Sequence, residues 1–177
     1  MRSAVEIVDA VVTRLQTAQW KPTDGPLEGA FQRVERFDVS NLGEGLEALI
    51  LNQDRFALVI WVGEDFEQAV VRGNQPVSQR QTRLIVMVSD RVIGDRRAAV
   101  FGSNTHPGAL KLRELALAAV CGYLIENPNG VYAHPVMSEP VFVESERGNL
   151  PGRSCVSMEF KCDGGWLFGE RGPGPIV

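Results

Sequence analysis

Residues 108–127, GALKLRELALAAVCGYLIEN, are the longest stretch of the chain with a clear helical period. Leu110, Leu117, Val120, Cys121 and Leu124 fall close to one face at i, i+7, i+10, i+11 and i+14. Leu112, Leu115, Ala116 and Ala119 widen that face, and Lys111, Arg113, Glu114 and Glu126 are left for water. Pro107-Gly108 signals the start, and Asn127, Pro128 and Asn129-Gly130 signal the stop. A stripe this broad suits the face of a sheet better than a single partner helix. Burying about eight such side chains contributes on the order of 12–24 kcal/mol gross. The entropy of ordering the chain offsets most of it.

The flanking sequence fits one α+β domain. At 177 residues the chain can bury a real core, and its 44% apolar content is that of a globular protein. The net charge of −4 argues against a general nucleic-acid binder. The N-terminal MRSAVEIVDAVVTRLQ carries Glu6 and Asp9 within an amphipathic pattern, unlike a signal peptide, and no apolar run reaches the ~18 residues of a membrane span. Cys121 lies on the helix stripe. Cys155 and Cys162 are an odd number of positions apart on one expected strand, so they face opposite ways and do not pair. Free thiols imply a reducing compartment.

In chain order, Ser3 caps a helix running to about Gln19, with Val5, Val8, Val12 and Leu15 as its stripe and Ile7 and Val11 alongside. Phe31–Val39 reads as a strand anchored by Val34, Phe37 and Val39, followed by a short helix over Leu42–Gln53. Arg55–Val62, RFALVIWV, reads as a strand covered on both faces. Gly63–Gln79 holds little core beyond Phe66, Val70 and Val71 and turns at Gly73-Asn74, so it reads as a protruding hairpin or a mobile arm. Arg80–Val88 is a strand, and Asp90–Thr105 is a second long polar connection. Pro135 and Pro140 confine Val131–Val143 to a sheet edge or two short pieces. Ser154–Cys162 alternates, with Val156, Met158, Phe160 and Cys162 on one face, and pairs antiparallel with 141–143. Residues 1–162 thus form one domain with a mostly antiparallel mixed sheet and helices packed on one face. Residues 163–177 read as a Gly/Pro-rich tail.

Reaction chemistry is hard to find in these residues. Gly43-x-Gly45 lacks the strand-turn-helix context of a nucleotide loop. His106 and His134 each precede a proline and have no ligand partner at helical spacing. No serine sits in a nucleophile elbow. Glu64, Asp65 and Glu67 follow the apolar strand, with no base near them in sequence. No catalytic, metal or cofactor site is expected. Arg80, Arg83, Arg91, Arg96 and Arg97 are better suited to pairing with acids of a neighbouring subunit than to nucleic acid.

The succession IVDAVVTRLQ, LGEGLEALI, FALVIWVG, a long arm, RLIVMV, LKLRELALAAVCGYLI, and a hairpin from PVFVESE to SCVSMEFKC spans Val5 to about Phe160. This organisation resembles the tail terminator, or tail completion, proteins of long-tailed phages, especially the Mu-like group. The resemblance implies a structural, non-enzymatic virion protein at the tail–neck junction, assembled in the host cytoplasm. Six copies would close the tail tube as a ring, end its polymerisation and meet the neck or head-completion protein. The tail tube and sheath proteins are the other implied partners, with DNA only as passing cargo and no membrane. On this reading Phe66, Val70, Val71, Arg72 and Gln75 belong to an assembly arm. Glu64, Asp65 and Glu67 would line the lumen, and Arg91, Arg96 and Arg97 would lie in subunit interfaces. Two other readings stand beside it. One is a small cytoplasmic α+β enzyme or ligand-binding domain using Glu64, Asp65 and His106 or His134; the other is a different head–tail neck connector.

Overall fold

The structure is a computed structural model, and it describes residues 3–37, 54–66, 70–72, 75–125, 130–141 and 153–167. The expected helix over Leu42–Gln53, Val39, Glu67 and residues 168–177 lie outside the described residues. Helix α1 (Ala4–Thr17) begins with a reciprocal cap. The Glu6 N–H donates to Ser3 Oγ at 3.2 Å, and the Ser3 N–H donates to Glu6 Oε2 at 2.7 Å. Its buried side chains are Ile7, Val8, Val11 and Leu15, while Val5 is exposed and Val12 only partly buried. The stripe is therefore rotated from the one read in sequence. Ile7, Val11 and Leu15 follow an i, i+4, i+8 line that a helix stacks on one side.

A two-residue pair, β1 (Gln19–Trp20) and β2 (Glu28–Gly29), closes the first turn. The main sheet is built from β3 (Arg33–Phe37), β4 (Phe56–Phe66), β5 (Val70–Arg72), β6 (Gln75–Arg91), β7 (Gly122–Ile125), β8 (Val131–Val141) and β9 (Arg153–Leu167). Its order is β3-β4-β6-β9-β8-β7, with β5 paired to β6. The β3–β4 pair is parallel and the rest are antiparallel, so the fold is α+β with a mixed, mostly antiparallel sheet. Ala57 and Val59 of β4, Leu84, Val86 and Val88 of β6, and Val156, Met158, Phe160 and Cys162 of β9 form one core. Ile7, Val11 and Leu15 of α1 and Leu112, Ala116 and Val120 of a later helix pack into it. On the opposite face Phe56, Leu58, Ile60, Met87 and Cys155 are buried too. The segment 56–60 is thus covered on both sides, but Trp61 and Val62, expected inside the same covered run, are exposed. No helix of the described residues is long and apolar enough to cross a membrane.

Helix α3 (Gly108–Val120) is shorter than its sequence suggests. It ends at Cys121, whose N–H donates to the Leu117 carbonyl at 2.9 Å. Gly122 then takes φ 100°, a conformation open to glycine, and Gly122–Ile125 continues as strand β7. The expected helix to Asn127 is corrected accordingly. The buried face is Ala109, Leu112, Ala116 and Val120; Leu110 is exposed and Leu117 only partly buried. Alanines at the contact let the helix approach the sheet closely, so the largest side chains do not mark the inner face.

The start of α3 is fixed by a residue distant in sequence. Pro107 at its N-cap offers no side-chain hydrogen bond. Asp90, fully buried near the end of β6, supplies it: Oδ2 accepts from the Gly108 N–H at 2.8 Å and Oδ1 from the Arg91 N–H at 2.9 Å. The segment before it is a helix as well. Arg96–Phe101 forms α2, capped by Asp95 accepting from the Ala98 N–H at 2.9 Å, within what the sequence presents as a polar connection. At the α2–α3 corner Gly102 and Gly108 approach so closely that a Cβ on Gly108 would lie 2.2 Å from the Gly102 nitrogen. Both have positive φ.

The remaining strands depart from their expected ends. Strand β8 runs without interruption through Pro135 and Pro140, absorbing one residue as a bulge between Pro135 and Met137. Beyond Ala133 its only neighbour among the described residues is β9, which gives it the edge position that prolines require. Strand β9 alternates as read but continues to Leu167, so Asp163–Leu167 is sheet and the expected tail boundary moves.

Two predictions follow from this packing. Leu112→Ala is expected to cost about 2–5 kcal/mol and Leu110→Ala within about 0.5 kcal/mol. Chemical denaturation giving equal losses would mean that the inner face of α3 is misassigned. Asp90→Ala strands the buried Gly108 N–H, at about 1–3 kcal/mol, and the half-buried Arg91 N–H at less. The Asp90 carboxyl is raised above its ordinary value of 3.8 by burial, partly countered by the Gly108 N–H and by the His106 charge. Its folded-state proton therefore contributes stability in full below that value, and the contribution is lost as pH rises through the raised pKa. Asp90→Asn, neutral throughout, is expected to gain on the wild type in thermal unfolding as pH rises from about 4 to about 7. A difference that stays constant with pH would place the carboxyl in water.

Candidate assembly site

The sheet is much longer than the helix beside it. Strand β6 has 17 residues and β9 has 15, spanning about 56 and about 50 Å at ~3.3 Å per residue. The 13 residues of α3 span about 20 Å. Buried side chains of β6 continue past Leu84 to Thr82 and Arg80, and the strand runs on from there to Gln75, whose side chain and those up to Gln79 lie outside the described residues. Strand β5 takes up the line of β4 along that extension, with Val70 opposite Val77 and Arg72 opposite Gln75. On the other side of β6 the end of β9 keeps register to Leu167 opposite Val77. The segment expected as an arm is thus a three-stranded ribbon continuous with the sheet.

The expected arm residues are all on this ribbon. Phe66 ends β4 opposite Arg80, Val70, Val71 and Arg72 make up β5, and Gln75 opens β6. Their side chains lie outside the described residues, as does the turn at Gly73-Asn74. Trp166 and Leu167, read in sequence as tail, belong to the same ribbon through β9. The signal that would have found them is the alternation of Ser154–Cys162, which has no reason to stop at Cys162.

The carboxylates do not form the acidic cluster expected from their adjacency. A bulge between Trp61 and Gly63 resets β4, after which Glu64 stands opposite Thr82 and Asp65 opposite Gln81. Strand alternation then puts Glu64 and Asp65 on opposite faces. Glu64 is ion-paired with the buried Arg80. Asp65 lies 4.0 Å from Arg83, whose Nε donates to Glu159 Oε1 at 3.2 Å. Beside them His134 Nδ1 is 3.5 Å from Asp163 Oδ2. Glu64 and Asp65 therefore share no single acidic surface: Glu64 has Arg80, and Asp65 shares Arg83 with Glu159.

The three arginines expected at an interface sit at the opposite end of β6. Arg91 is the last residue of β6, opposite Arg153, and is half-buried. Arg96 and Arg97 are exposed in the first turn of α2. Arg153, which the sequence reading overlooked, clasps the far face. It donates to Ser89 Oγ at 2.9 Å, and its guanidinium lies 5.3 Å from the centre of the Phe56 ring.

The cysteines are free and packed. Cys155 donates to Ser89 Oγ at 3.3 Å, and burial raises its thiol pKa. Burial, with Asp163 adding to it, pushes the Cys162 thiol up to about 12. Neither is a thiolate near neutral pH. A groove of about 480 Å³ between the end of α1 and α3 is lined by Arg14, Thr17, Gln19, Leu115, Ala118 and other small residues. Among the described residues, no three His, Cys, Asp or Glu side chains are grouped to hold a metal.

No protein-family model matches the chain, and no curated protein matches it significantly.

The ion pairs at the ribbon base differ in burial, which gives a direct test. Glu64→Ala leaves the buried Arg80 without its carboxylate and is expected to cost at least about 1–3 kcal/mol. Asp65→Ala, at an exposed pair, is expected to cost at most about 1 kcal/mol. Equal costs in urea unfolding would show that the bulge does not separate the two faces.

Proposed function

We propose that this chain is a structural subunit of a long-tailed phage or prophage-derived particle: a tail terminator that caps the tail tube as a hexameric ring. In that position it ends tube polymerisation and joins the tail to the neck or head-completion protein. The tail tube protein lies on one side, the sheath protein is a further partner, and DNA passes through without being held. The role is architectural rather than catalytic.

The observation that carries the reading is the ribbon. Among the described residues no helix is long enough to follow strands of 17 and 15 residues to their ends, and burial of the extended ribbon on a neighbouring subunit accounts for its length. The organisation from Val5 to Phe160, with its resemblance to tail terminators, supports the same reading. Of the carboxylates expected at the lumen, Glu64 is paired with Arg80 and Asp65 faces the other way beside Arg83, which Glu159 shares, so these two do not form one acidic patch; Glu67 lies outside the described residues.

Native mass spectrometry and negative-stain microscopy of the purified chain are expected to show a six-membered ring. Removing residues 70–77, which make up β5 and the start of β6, is expected to leave a folded subunit that no longer sets tail length. Monomers or dimers at every concentration, or uniform tails built with the shortened chain, would overturn the proposal.

A further inference from the structure

Two surface strips on this chain complement each other, and they lie on different elements. The first is on and beside α2. Ile93 and Phe101, 77% and 68% exposed, are the most exposed large apolar side chains among the described residues. Between them in sequence stand Arg96 and Arg97, both exposed and with no ion pair among the described residues. The nearest acid in sequence, Asp95, is committed to capping Ala98. Single exposed apolar residues are ordinary, but two flanking a pair of guanidiniums that have no ion pair among the described residues are not. The strip is also held rigid. Ala98 and Ala99 are buried, and the Gly102–Gly108 approach fixes the end of the helix.

The second strip is the length of β8 that has no neighbour but β9 among the described residues. Residues 135–140 are all exposed, Val136 and Met137 each at 50%. Glu139 among them has no side-chain ion pair among the described residues. An open strand edge usually invites another strand. Here Pro135 stands opposite Phe160 and Pro140 opposite Val156, positions of the same hydrogen-bonding class on β9. A proline fits a paired strand only where its missing N–H would have pointed away from the partner. Both prolines therefore remove donors from the outer edge, and the bulge at 136 breaks its line further. Whatever meets this strip meets its side chains, not its backbone.

We infer that the β8 strip of one copy docks against the α2 strip of a second copy, with Val136 and Met137 covering Ile93 and Phe101 and Glu139 facing Arg96 and Arg97. Apolar contact supplies the affinity, and the charge pairing sets the orientation. Because the two strips differ, the contact is head-to-tail, and repetition of such a contact closes a ring when the rotation allows it. The inference rests on the ring reading above and adds the contacting residues. Two arginines flanked by bare isoleucine and phenylalanine suit a protein surface better than a phosphate backbone, which rewards runs of cations.

The test uses the full chain in sedimentation velocity, with thermal unfolding as a control for folding. The double variant R96E/R97E is expected to raise the concentration needed for assembly by about tenfold or more, with unchanged unfolding. Adding E139K to it is expected to restore assembly. Phe101→Cys in one copy and Val136→Cys in another are expected to cross-link under mild oxidation. Assembly indifferent to R96E/R97E overturns this contact while leaving the ring reading intact. Loss without rescue by E139K, and without the cross-link, removes β8 as the mate. A wild-type chain that never assembles overturns both readings. DNA binding that falls in R96E/R97E while assembly is unchanged assigns the arginines to phosphate and also overturns the contact.

Discussion

The structure depends on a buried carboxylate. Asp90 stands near the end of β6, the strand that reaches farthest through the sheet, and its two oxygens accept from the first N–H of α3 and from the next residue of its own strand. Helix and sheet are thereby joined at one point by charge-assisted hydrogen bonds rather than by packing alone. Everything that follows α3 inherits this placement: the turn at Gly122, strand β7, and through it the edge on which β8 lies. Burial opposes ionisation of the same group. The two N–H donors partly counter that opposition, so the joint balances the cost of burying the carboxyl against the hydrogen bonds that favour its charge.

Away from that joint the sheet changes character along its length. At the helix-covered end both faces are apolar, with Phe56, Leu58 and Met87 on one and Val59, Val86 and Met158 on the other. Past the bulge at Trp61/Gly63, cross-strand ion pairs take over, Glu64 with Arg80 and Arg83 with both Asp65 and Glu159. Charged ladders keep a strand surface soluble while holding its register. A ribbon built in this way can project from a domain without collapsing onto it.

How much of this was legible from sequence depended on whether the deciding contacts were local. The Ser3–Glu6 capping box, the apolar run of β4 over 56–60 and the alternation of β9 are statements about neighbours in the chain, and they hold in the structure. The proline argument for β8 held because a missing N–H is a property of the residue itself. Misreadings arose where a distant partner decided. Leu110 and Leu117 looked like the inner face of α3, but close approach to the sheet favours Ala109 and Ala116. Gly122 stops the helix through a positive φ that the apolar residues after it concealed. Asp90 read as the start of a loop because its partner is 18 residues away. At the candidate site, adjacency in sequence suggested one acidic surface. The bulge and the arginines across the sheet, invisible without register, divide it.

The position of β9 has a consequence for how the molecule comes into being. It is the last strand described along the chain, yet it lies between β6 and β8, holding both. As a growing chain leaves the ribosome, β6, α3 and β8 are all made before the strand that joins them exists. Until residues 153–167 emerge, β6 lacks a neighbour along one flank and β8 has only the short β7. Pairings between residues such as Val88 and Val156 are costly to close and form late. An unfinished chain therefore presents sticky edges in the meantime, exposed to chaperones and to aggregation. The sheet can be completed only after synthesis has passed β9, so truncated products should be rejected by quality control rather than built into an assembly.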